Sequence, residues 1–253
     1  MTNRNESKHV DGVDGDRGSA PRDRPSGAAS ALLAGLVISL VIAGVTSSEE
    51  SGRLSPLPES EWGSEVREML GGTYDRVAEL EGAAPDAERE TLNILRTVAH
   101  HPKLLGPFLG FATALAQEGT LTRRDSELLA LRASWNGQSD FEWGHHVVYG
   151  LAAGLTRAEI DRIPLGPEAE GWSAEDRDLL LVADQLHHRQ QIDDALWTRV
   201  ASRYSEAQLV EIPFVVGQYT MLSMVANMTG VELEPRFEPL PDGPDRGASP
   251  QAR

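Results

Sequence analysis

The chain has 253 residues and a formal net charge of −16, from 23 basic and 39 acidic side chains. That balance argues against non-specific nucleic-acid binding, which needs a basic footprint. It contains no cysteine, so chemistry that needs a thiolate or a disulfide cycle is out of reach.

Residues 1–26 carry five basic and five acidic residues and no hydrophobic period, and read as a disordered segment. Residues 27–46 form a hydrophobic segment in which Ala28 to Val45 gives eighteen uncharged positions. That is the lower end of a membrane-spanning length. Three readings stand side by side: a single-pass anchor associating the protein with a membrane, a cleaved signal ending near Val45-Thr46-Ser47, or a segment the protein does not use. If it spans, Arg17, Arg22 and Arg24 before it outweigh Arg53 after it, which puts the N-terminus inside.

Residues 52–233 read as one all-α domain, with helices expected at 60–81, 87–100, 103–118, 123–136, 140–153, 157–162, 174–189, 193–203 and 206–229. Thr122-x-x-Asp125, Thr156-x-x-Glu159 and Ser205-x-x-Gln208 mark helix starts in capping-box fashion. Ser173, followed by Glu175 and Asp176, marks another. Pro213 is expected to kink the last helix or split off its first turns. Residues 234–253 hold five prolines and read as a disordered tail.

The chemistry concentrates between Leu121 and Leu155. Gly137-Gln138 joins two helices as an αα-hairpin. Glu127 lies on the first, and Glu142 and His146 lie four apart on the second. Ser139, Glu142 and His146 share one stripe at about 100° per residue. The rest of that helix is apolar nearly all round, which marks it as buried. A Glu and a His one turn apart on a buried helix suggest an acid–base pair in a pocket. On an exposed helix the same spacing is only a weak polar pair. Ser139 is also placed to be the N-cap of its helix, and a Ser-x-x-Glu box would draw Glu142 into capping. Arg132 is a candidate clamp for a substrate carboxylate, or else a structurally paired arginine. His145 sits on the apolar side, as a packed, hydrogen-bonded or subunit-contact histidine. Tyr219 and Asn227 on the last helix are candidate pocket residues. The adjacent pairs His100-His101 and His187-His188 diverge by about 100° and do not chelate by themselves, so no metal site is expected. No Gly-rich phosphate loop or nucleotide fingerprint is present.

This stretch resembles the carboxymuconolactone decarboxylase family, which includes the alkylhydroperoxidase D type of peroxidase. The peroxidase pattern is Glu, eleven residues, Cys-x-x-Cys, three residues, His. Here Glu127 and His146 fit the Glu and the His, while Ser139 and Glu142 stand on the two cysteine positions. The Glu142-Trp143-x-x-His146 run, followed by Ala153-Gly-Leu-Thr156, is similar to the decarboxylase-type branch, and the likeness spans roughly residues 54–233. The resemblance implies an alkylhydroperoxidase D-like helical fold, a homo-oligomer (trimer or hexamer), a cytoplasmic setting and no cofactor. It implies a small-molecule substrate, with Glu127, Glu142 and His146 as catalytic residues and Arg132, Ser139, Trp143 and His145 on the substrate side. In that scheme His146 donates the proton or bonds the enolate, Glu142 orients it or acts as base, and Glu127 tunes the pair. The implied activity is a cofactor-independent lyase or isomerase acting on a carboxylated lactone or oxo-acid. A non-catalytic member that binds a small molecule or a partner is the alternative, and without cysteine a thiol peroxidase is not expected.

Overall fold

Capped amphipathic segments set the architecture. The computed structural model describes residues 52–70 and 91–242. Among them the regular structure is entirely helical: α1 Ser64–Leu70, α2 Asn93–Val98, α3 Pro102–Gln117, α4 Arg123–Asn136, α5 Asp140–Ala152, α6 Arg157–Arg162, α7 Ala174–Arg189, α8 Asp194–Ala201 and α9 Glu206–Thr229. Thr122, Ser139, Thr156, Ser173, Asp193 and Ser205 each cap a helix by accepting a bond from a backbone N–H three residues on. At Thr156 and Ser205 the capping box is complete. These bonds satisfy amides that the first turn of a helix leaves without partners. The readings of residues 1–26 and 28–45, and the helical reading of 71–90, lie outside the described residues.

The core is built on α4, which packs against α5, α7 and α9. Leu128, Leu129 and Leu131 from α4, Trp143 and Val147 from α5, Leu179 and Leu180 from α7, and Val215 and Val216 from α9 form one buried cluster. A second joins Trp62, Val66 and Leu70 to Ala99 and Leu105, and a third gathers Ile94, Phe141, Leu222 and Ala226. The tight α4–α5 turn depends on Gly137. A Cβ there would come within 2.7 Å of the Ser223 Cβ, so α9 crosses almost against the turn backbone. Asn227 on α9 donates to the Gly137 carbonyl at 2.7 Å and closes the same junction.

Two expectations change. Pro213 does not split the last helix: α9 runs unbroken from Glu206 to Thr229 with the proline on its exposed side. The Leu209 carbonyl that the missing N–H would have met therefore lies toward solvent rather than in the core. The reading of residues 234–253 as a disordered tail also changes, because chain up to residue 242 is packed. Phe237 and Leu240 are buried, and the Leu240 amide donates to Asp140 Oδ1 at 3.0 Å. Gly144 of α5 admits this strap, since a Cβ there would meet Leu233 Cδ1 at 2.9 Å and the Glu238 carbonyl at 3.0 Å.

Candidate functional site

Helices α4 and α5 bring Glu127 and His146 face to face inside the core. His146 Nδ1 donates to Glu127 Oε2 at 2.6 Å, and Arg123, one turn before Glu127, donates to the other carboxylate oxygen. With its Nδ1 proton committed to Glu127, the imidazole turns Nε2 toward Glu142, whose Oε2 stands 3.7 Å away. That is too long for a hydrogen bond. Orientation of His146 therefore falls to Glu127, where the sequence pointed to Glu142.

Glu142 is buried, and its Oε1 has no hydrogen-bond partner. Burial raises its carboxyl above the ordinary range, against the pull of His146 and His145 in the other direction. The competition over capping is also decided. Ser139 accepts from the Glu142 amide at 3.3 Å, but the Ser139 amide goes to the Ser134 carbonyl. The Glu142 carboxyl is thus not consumed by the helix start, and only half of the box is made.

Arg123, Glu142 and His146 line a cavity of about 500 Å³ between α2, α3, α5 and α9. Ile94, Leu95, Phe108, Leu115, Phe141 and Leu222 give it an apolar wall. Arg123, Glu142, His145, His146, Tyr149, Gln218 and Tyr219 supply the polar groups. The Tyr219 ring lies edge-on to His146, with centroids 4.2 Å apart. Burial first, and then the nearby Glu127 carboxylate, pushes the Tyr219 hydroxyl up, so it stays protonated at neutral pH. An apolar chamber with a few convergent titrating groups is the usual form of a small-molecule site.

His145 reaches the cavity and is also packed. Its Nδ1 bonds the Phe141 carbonyl at 2.8 Å, and its ring lies between Phe141 and Phe237. Its Nε2 is 3.2 Å from Glu234 Oε2, at an angle too poor for a full hydrogen bond. Three other expected substrate-side residues are placed elsewhere. Arg132 bonds Asp184 through Nε and Nη2, at 2.6 and 2.8 Å, and the Ile163 carbonyl through Nη1 at 2.7 Å. Its guanidinium is held by Asp184 and Ile163 and does not line the cavity. Trp143 belongs to the main core, edge-on to Trp135 at 6.2 Å. Ser139 is a fully buried cap.

The residues that sequence reasoning missed are Arg123, Tyr149 and Gln218, while Tyr219 was correctly set in the pocket and Asn227 was not. Arg123 is four before Glu127 and shares its face, whereas Arg132, five after, is rotated by about 140°. Tyr149 falls three after His146 on the pocket side by the same rule. Gln218 had no signal beyond its position beside Tyr219. Among the described residues no group of three or more His, Asp or Glu is arranged to hold a metal ion.

Residues 102–185 match the model of the carboxymuconolactone decarboxylase family. No curated protein matches. Several solved structures share the fold. An uncharacterised peroxidase-related protein with an alkylhydroperoxidase AhpD core, from Ralstonia eutropha JMP134, aligns with a TM-score of 0.59 at 16% identity, over 73% of this chain and 93% of that one. An uncharacterised peroxidase-related protein from Silicibacter sp. TM1040 gives 0.59 at 18%, over 77% and 97%. The debrominase Bmp8, as a variant in complex with 2,3,4-tribromopyrrole, gives 0.57 at 15%, over 72% and 91%. The decarboxylase-family match lies across α3 to α7, the helices that hold Glu127, Glu142 and His146, so this chain is similar to the carboxymuconolactone decarboxylase family over that stretch and has the alkylhydroperoxidase D-like fold.

Proposed function

We propose that the protein is a cofactor-independent acid–base enzyme, a carboxy-lyase or isomerase, acting on a small carboxylated lactone or oxo-acid. One observation carries this reading: a buried carboxyl of raised pKa, with one oxygen unbonded, beside a histidine whose far nitrogen is held by a second carboxylate. Two titrating groups with environments this different make a natural acid and base. Glu142, whose burial makes its carboxyl hold a proton more tightly than usual, is the proton donor. His146, its Nδ1 proton fixed on Glu127, offers Nε2 as base. Arg123, at the cavity wall, is the available cation for a substrate carboxylate, in place of Arg132.

In decarboxylation the bond between ring carbon and carboxylate breaks and carbon dioxide leaves. The electron pair stays on the ring as an enolate, and a proton from Glu142 goes onto carbon. Isomerisation uses the same pair, with His146 removing a proton and Glu142 returning one. Acid–base residues so placed contribute about 10²–10⁴-fold. The test is carbon dioxide release and lactone absorbance with 4-carboxymuconolactone and related oxo-acids, for the protein and for His146→Ala. Turnover lost in the variant supports the reading. Turnover unchanged in both His146→Ala and Glu142→Gln overturns it.

Self-association into a homo-oligomer is part of the same proposal. Val210, Phe214, Met221, Met224 and Met228 form an exposed stripe on α9 that carries no charge, in a chain of net charge −16. A second copy of the chain can meet such a stripe without adding repulsion. Sedimentation of Met224→Glu checks this: a smaller species is expected, and an unchanged mass removes α9 from the interface.

A further inference from the structure

Gln218 is buried on α9, lines the cavity, and has no hydrogen bond at its side-chain oxygen. Its neighbour Tyr219 touches His146, so the amide belongs to the chamber that holds the titrating pair. Buried carboxamides are almost always bonded, and one whose oxygen is left open beside a cavity calls for a guest that meets it. A carboxamide presents one donor and one acceptor side by side, and this holds whichever way the amide is turned. Its complement is an edge with the same pair reversed.

We infer that Gln218 is the specificity-determining residue of this cavity. It recognises a compact, largely apolar ring compound with a neutral donor–acceptor edge: a carbonyl beside an N–H, or beside an enol or carboxylic O–H. This rests on the cavity being the substrate site of the acid–base reading, and it narrows the substrate class. A fully ionised, acceptor-only edge satisfies only the N–H of Gln218. A neutral enol satisfies both ends, and enolised oxo-compounds are the species that acid–base chemistry at His146 and Glu142 generates.

The probes are 2-pyridone, which carries such an edge, and N-methyl-2-pyridone, whose donor is blocked. Binding is read by calorimetry and saturation-transfer NMR on the full chain, so no turnover is required. The protein is expected to prefer 2-pyridone by about tenfold, the equivalent of one good hydrogen bond. Gln218→Met, close in shape, should bind both equally while keeping the unfolding midpoint within a few degrees. Gln218→Glu, of equal length, should keep the preference at every pH, because its carboxyl always accepts the pyridone N–H, and should hold both probes less tightly once it ionises and can no longer donate to their carbonyls. His146→Ala should leave the preference intact, which separates this inference from the catalytic one. A preference that survives in Gln218→Met, or equal binding of the two probes by the unaltered protein, overturns the proposal, as does a lack of binding by either.

Discussion

Two buried polar clusters sit on opposite sides of α4, and they are built to different rules. In one, Arg132 meets Asp184 with two bonds and the Ile163 carbonyl with a third, and Asn136 adds a bond to Asp184 at 2.9 Å. In the other, His146 is fixed at one nitrogen only, Glu142 keeps an oxygen without a partner, and a cavity opens beside them. The first is complete and ties α4 to α7. The second is left incomplete where a ligand can enter. Burial of charge therefore does not mark the site by itself. Bonds left unmade next to open volume do, because an unsatisfied buried group costs stability unless function recovers it.

The largest effects test that division directly. His146→Ala should lower turnover of a confirmed substrate by about 10²–10⁴-fold. Its urea midpoint should move far less than the loss of activity, as Tyr219 and Tyr149 still wall the space. Arg132→Met should do the reverse. It leaves the half-buried Asp184 without its bidentate partner, which costs about 1–3 kcal/mol in unfolding free energy, while activity per folded molecule stays. Loss of activity at unchanged stability in Arg132→Met would erase the distinction between the clusters. Gly144→Val comes next. It pushes against Leu233, Phe237 and the Glu238 carbonyl, and overpacking of this kind costs about 1–3 kcal/mol. The expected readout is faster proteolysis of the strap after residue 230. Ser139→Ala removes one cap bond and should cost about 1 kcal/mol, with turnover kept. A large loss of turnover there would return Ser139 to the chemistry.

Most helix boundaries were legible because caps are local. A Ser or Thr followed by an acidic residue or Gln three positions on carries its own instruction, and α4, α5, α6, α7 and α9 begin where those signals stand, while α8 begins at an Asp193 cap. The site was legible in part for the same reason: Glu142 and His146 are one turn apart, and helical period alone puts them together. Glu127 came from family likeness, and its bond to His146 is a tertiary fact with no local signature. Of the two readings of Arg132, the paired one is what the fold makes, because rotation about the helix carries it away from Glu127, while Arg123 lies on the Glu127 face. The strap was missed because prolines outnumbered its two apolar residues. Phe237 and Leu240 bury themselves against α5 with few regular backbone bonds to announce them.

The smallest effects sharpen the comparison through pH. Glu234 and Glu142 flank His145 and respond oppositely. Burial pushes Glu234 up, but the proximity of His145 and the Asn93 amide, which donates at 3.0 Å, outweigh it and hold the carboxyl below the usual range. The stabilisation from Glu234 is then complete above an ordinary carboxylate pKa and is lost as pH falls through its lowered folded value. Glu142 is raised, so between the ordinary value near 4.3 and its folded value the native state binds more protons than the unfolded chain. Stability must fall as pH rises across that window, with a slope of about 1.4 kcal/mol per pH. Glu142→Gln keeps the shape and removes the titration. Unfolding followed against pH at fixed protein concentration should show the variant gaining on the parent above about pH 4.3 and levelling off where Glu142 ionises in the parent. Glu234→Gln should sit below the parent by a constant amount over that range, with the deficit closing only as pH falls below it. Parallel curves for Glu142→Gln and the parent would mean that Glu142 ionises as freely in the fold as in water. The neutral donor assigned to the cavity would then be absent, and the two buried clusters would no longer differ in kind.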